Sequence, residues 1–201
     1  LRPAWATAAS LPNLTYRCLT ADHVWSLANR ARPPRTETQQ HLDVSVGQNS
    51  IDLVLQAQLE TLDGDVYQHR LSVPPGFEVQ SAVLISDDAN IAARVANNDQ
   101  GTVTLFLNRG VSGEQRLELR GRVATDLVHG EFPFPRVTLS DTELRRDEVR
   151  LFRQSEIALE VQASPPLPPA SQPASGSFYD PLGRLVAAFD LTAADASRIS
   201  D

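Results

Sequence analysis

Between Ser50 and Thr61 apolar residues stand at Ile51, Leu53, Leu55, Ala57 and Leu59, and most positions between them are polar. Strand side chains alternate between two faces, so this run predicts a strand with one buried face. Asp63-Gly64-Asp65 follows. Asp-Gly accepts the positive φ angles of a tight turn, which predicts a hairpin. Its return strand would carry Tyr67, His69, Leu71 and Val73 on one face. Pro74-Pro75-Gly76 ends that run, since proline donates nothing to a ladder.

Phe77 to Ile85 reads as the next strand, and Ile91 to Ala96 as a short one between the turn clusters Asp87–Asn90 and Asn97–Gly101. Alternation returns through Val103, Leu105 and Leu107, turns at Arg109 to Gly113, and resumes through Leu117 and Leu119. Together these runs predict a meander-like antiparallel block over residues 41–124. The flanks carry weaker signals. Pro12 to Leu19 and His23 to Ala28 fit strands, although Thr20 with Val24, Leu27, Ala28 and Ala31 also fits a capped helix. Ser140-Asp141-Thr142-Glu143 matches a capping box and predicts one helical turn over 141–147. Strands are expected again at Val149 to Phe152 and Ile157 to Val161.

Strands and turns recurring every roughly 8 to 14 residues predict an all-β fold. The expected form is an antiparallel β-sandwich, Ig-like or jelly-roll-like, with at most one or two short helices. Its organisation reads as an extended or disordered segment over 1–9 and a sandwich domain over 10–163. A Pro/Ser-rich linker or long loop over 164–177 follows, with five prolines. Residues 178–201 then read as an added strand and tail, or as the start of a further module.

Composition narrows the function classes. The chain has 201 residues and a formal net charge of -7, and every one of its 18 basic residues is Arg. Scattered Arg in an acidic chain argues against nucleic-acid binding, which needs a basic face. The densest group, Arg145, Arg146, Arg150 and Arg153, is interleaved with Asp147 and Glu148. Without Lys there is neither a phosphate-loop lysine nor a Schiff base. Cys18 stands alone and forms no internal disulfide. No apolar run approaches the ~20 residues of a membrane span. The chain contains no Met, so Leu1 is not expected to be the start of translation. It reads as a processed product or a fragment of something longer.

Candidate chemistry is sparse. None of His23, His41, His69 and His129 lies at metal-ligand spacing from another, and His41 with His69 is the one histidine pair that adjacent strands could bring together. Asp87, Asp88, Asn90, Asn98 and Asp99 put oxygen donors into two neighbouring turns, the kind of set calcium takes. Asp and Asn are also the residues that turns prefer. Calcium is therefore the one cofactor considered. Trp5 and Trp25 lie outside the best-defined sheet, so no aromatic platform for sugars is evident.

With no catalytic signature, the chain is expected not to be an enzyme. It reads as a structural or adhesion-like interaction module of a larger secreted or envelope-associated bacterial protein, outside the cell or in its envelope. The expected partner is a protein or a glycan. The alternatives are a glycan- or calcium-binding β-sandwich domain, and an accessory β domain of a larger hydrolase.

Overall fold

The computed structural model of the protein describes residues 34–98, 100–125, 132–162, 168–170 and 182–192. These lie in one compact unit, Pro33–Asp201. The fold is all-β. Among the described residues nine strands make one sheet: β1 (Arg35–Val46), β2 (Ser50–Ser72), β3 (Phe77–Ser86), β4 (Ala89–Asn90), β5 (Ala92–Asn98), β6 (Thr102–Ala124), β7 (Thr138–Leu139), β8 (Glu143–Arg153) and β9 (Arg184–Asp190). The main path runs β4-β3-β6-β2-β1-β8-β9, with β5 also on β6 and β7 on β2. All pairings are antiparallel except that of β1 with β8.

Two 23-residue strands, β2 and β6, organise everything else. They pair from Ser50↔Ala124 to Ser72↔Thr102, but the register breaks twice near the middle. Between Thr61 and Val66 the extra residues belong to β2, and between Phe106 and Val111 they belong to β6. Gly64 (φ 74°) and Gly113 (φ 75°) take the left-handed backbone there, and such bulges bend a strand and increase its twist. The bend leaves two arms. One carries β3, β1, β8 and β9 beside residues 50–61 and 113–124, and the other carries β5 and β7 beside residues 68–72 and 102–106.

The alternation explains how the arms close on each other. Leu53, Leu55, Leu117 and Leu119 from the first arm share one core cluster with Leu71, Val103 and Leu105 from the second. Leu42, Val44, Val149 and Leu151 of β1 and β8 extend that cluster. A single folded sheet therefore does the work of two layers, and the fold is sandwich-like.

Four local expectations differ from the structure. Asp63-Gly64-Asp65 does not reverse the chain but forms the β2 bulge, because the residues after it find the same partner, β6, as the residues before it. The block is not a meander, since β6 inserts between β3 and β2. The capping-box segment makes no helical turn: Asp141 has φ 60°, and β8 begins at Glu143 alongside β1. Ile157, Leu159 and Val161 form no strand, yet pack partly buried against the core.

β9 pairs with β8. Three residues of the proline-rich stretch reach it: the Ala170 N–H donates to the Ala188 carbonyl (3.0 Å), and the Asp190 N–H donates to the Pro168 carbonyl (3.0 Å). They cover a strand edge that would otherwise offer unpaired backbone groups.

Candidate functional site

The faces of the first arm carry different chemistry. Inward positions on β1 and β2 are apolar towards the middle of the core and polar near the bend, where Thr36, Thr38, Gln40, Thr61, Gln115, His69 and Asp147 are all buried. Most of these are joined in two short chains. His69 Nε2 lies 2.8 Å from Gln115 Oε1, Gln115 Nε2 donates to Thr61 Oγ1 (3.0 Å), and Thr61 Oγ1 meets Thr36 Oγ1 (3.1 Å). With the Gln115 amide so oriented, its oxygen accepts and His69 donates from Nε2. Burial pushes the His69 imidazole below its ordinary value, although the Gln115 hydrogen bond raises it. In the second chain Asp147 accepts from Gln40 Nε2 (2.9 Å) and from Arg136. These contacts satisfy core polar groups.

The outward face is organised in rows that cross the strands. Arg116 on β6 lies opposite Gln58 on β2, Gln58 opposite Gln39 on β1, and Gln39 opposite Arg146 on β8. Two residues along, the next row reads Glu118, Gln56, His41 and Glu148. Val83 and Ile85 of β3 extend both rows at the β6 end. Together these side chains line an open groove of about 490 Å³. Its floor is glutamine with one histidine, and each wall carries an arginine beside a glutamate. The walls stand three strand spacings apart, about 14 Å.

Further rows flank the groove. On one side Glu114, Glu60, Glu37 and Glu143 lie opposite one another across four strands. Like charges placed this way repel. Arg35 and Arg145 answer the β1 and β8 members, at 2.9 Å from Arg35 to Glu143 and 2.7 Å from Arg145 to Glu37. The Arg145 hydrogen bond is the main reason the Glu37 carboxyl sits below its usual value. On the other side Arg120, Val54, Asp43 and Arg150 form a row. Asp43 accepts from Arg150 Nε and Nη2 (both 2.7 Å), and its Oδ1 lies 2.7 Å from His41 Nε2. Burial alone would raise the Asp43 carboxyl, but the hydrogen bonds and charges of His41 and Arg150 bring it below its ordinary value.

The other sequence candidates fall elsewhere. His41 and His69 do not meet, since one holds Asp43 on the outer face and the other Gln115 inside. Asp87 (φ 50°) and Asp88 (φ 59°) form the β3–β4 turn, and Asp87 faces Arg109 at 3.3 Å. Asn90 Oδ1 accepts the Ala92 N–H (3.1 Å), and Asn98 Oδ1 accepts the N–H groups of Gln100 (3.2 Å) and Thr102 (2.9 Å). Asp99, Cys18, Trp5, Trp25, His23 and His129 lie outside the described residues. Among the described residues no three or more His, Cys, Asp or Glu side chains converge as a metal site would require, and no helix is long and apolar enough to cross a membrane.

No family model and no curated protein matches this chain. Among solved structures, the chain is similar to an M1 zinc metallopeptidase from Deinococcus radiodurans. That match has 14% identity and a TM-score of 0.42, and covers 62% of this chain and 33% of the peptidase. A mutant of the same enzyme matches at 14% identity and a TM-score of 0.40, covering 61% of this chain and 33% of its own. The chain thus spans about a third of the length of the peptidase chains it matches.

Proposed function

We propose that this chain is a non-catalytic interaction module whose contact surface is the outer face of the β6–β2–β1–β8 sheet. The observation that carries this reading is the groove itself. Four strands supply a floor of exposed amides between two walls that each set a guanidinium beside a carboxylate. Glutamine offers donor and acceptor together, and exposed Arg–Glu pairs add little to stability, so such a face suits recognition of a polar surface. His41, the group in the groove best suited to proton transfer, is already held by Asp43, and its Nδ1 lies 3.9 Å from Glu148. Among the described residues no serine, threonine or cysteine lines the groove beside it.

Two assays test the proposal. The purified chain and its R116A/R146A variant are probed against glycan and peptide arrays, and both are incubated with a panel of ester, glycoside and peptide substrates. Binding that is lost in the variant, with no turnover in either, is the expected result. Turnover of any panel member, or array binding indifferent to both arginines, contradicts it.

A further inference from the structure

At its β6 and β8 edges the outer face alternates in charge from row to row, and this makes those edges complementary to themselves. Along β6 the outward residues read Glu114, Arg116, Glu118, Arg120, and on β8 Arg146 precedes Glu148 in the matching rows. Resting on the proposed interaction role, we infer that the partner of this face is a second copy of the chain. The two copies sit face to face about a two-fold axis that crosses the strands between the Arg116 row and the Glu118 row.

Rotation about that axis lays each strand over its own counterpart, running the opposite way. Arg116 then faces the partner's Glu118, Glu114 faces the partner's Arg120, and Arg146 faces the partner's Glu148. By symmetry each contact occurs twice, as an isologous interface requires. The glutamine floors meet glutamine and histidine, groups that donate and accept alike. An axis lying on a row instead sets arginine over arginine and glutamate over glutamate, so the charge pattern selects the axis between rows.

Two of the charges involved are unspent among the described residues. Glu118 already accepts from Arg120 (2.7 Å), and Glu148 from Arg146 (2.9 Å). Glu114 and Arg116 hold no ion pair with any described residue. The second copy supplies a carboxylate to the free guanidinium and a guanidinium to the free carboxylate. The net charge of -7 on each chain opposes association, so the contact is weak and depends on concentration.

Sedimentation equilibrium of the full chain tests this at about 100 mM salt, where net repulsion is largely screened and contact pairs persist. The expected result is a mass rising with concentration towards twice 22.0 kDa. R116E/R146E and E118R/E148R should each self-associate at least about 10-fold more weakly. Mixed one to one, these two variants should recover the dimer, because each then presents the charges that the other lacks. An R94E/R109E chain, with the same charge change placed off the face, should not pair with E118R/E148R beyond the level of either alone. R116E serves as a single variant that breaks no ion pair among the described residues, and matching circular dichroism melts show that the fold is kept. A wild-type chain that stays monomeric, an R116E/R146E chain that dimerises like wild type, or a mixture that fails to associate overturns the inference. Array binding lost in R116A/R146A would in that case still support the interaction role with a different partner. Absence of both sinks the two readings together.

Discussion

His69 and Gln115 lie on opposite arms of the folded sheet, and the 2.8 Å contact between Nε2 and Oε1 joins them across the core. Both are almost fully buried. Removing the amide leaves the His69 N–H without its acceptor, at a cost of about 1–3 kcal/mol. Gln115→Ala is therefore expected to melt about 3–10 °C below wild type, and thermal denaturation at neutral pH measures it.

Burial of the same histidine sets a dependence on pH. The folded-state value of His69 lies below its unfolded value, so the unfolded chain binds the proton first. Its contribution is complete above the unfolded value, about 6.5. It declines as pH falls from there through the lower folded value. Urea titrations of wild type and His69→Gln from about pH 8 to about pH 5 should show their stability difference shrinking on acidification. A difference that grows on acidification contradicts buried, neutral His69.

Asp43 has the same sign and a lower window. Its folded-state value is depressed, so the stability it contributes is present above the unfolded carboxylate value, about 3.9, and is lost as pH falls through the folded one. Asp43 is 4% exposed and takes a two-pronged bond from Arg150. Asp43→Ala leaves that guanidinium unpaired and is expected to cost about 2–4 kcal/mol at pH 7. Denaturation of D43A should also show a shallower loss of stability below about pH 4 than wild type.

Gly121 offers a purely steric test. A Cβ there would overlap the Phe77 ring and meet the Glu78 carbonyl at 2.6 Å. Phe77 is buried and its backbone is fixed by pairing with Val123, so neither contact relaxes easily. Gly121→Ala should destabilise the fold by about 1–3 kcal/mol. Gly121→Ala combined with Phe77→Leu should recover part of that loss in the same denaturation assay.

What the sequence could disclose follows the range of each force. Alternation through Ile51, Leu53, Leu55 and through Leu117, Leu119 is local, and those residues do bury one face. Asp63-Gly64 is local too, but positive φ serves a bulge as well as a hairpin. The choice was made by β6, some fifty residues away in the chain. The capping box at Ser140 lost in the same way to pairing of β8 with β1. The candidate site was half visible. Glu114, Arg116, Glu118 and Arg120 alternate openly along the chain, and Arg146 and Glu148 stood within an interleaved charge cluster. Only the register of four strands aligns them in rows, and register depends on partners that no short window contains.

Carboxyl footprinting tests most directly whether the outer face is where this chain meets its partner. Carbodiimide labelling of the full chain, dilute and concentrated at about 100 mM salt, compares Glu114 and Glu118 with Asp87, whose side chain is 84% exposed in the β3–β4 turn. Labelling of Glu114 and Glu118 is expected to fall several-fold on concentration while that of Asp87 is unchanged. Equal labelling at all three, or protection of Asp87 alone, contradicts it.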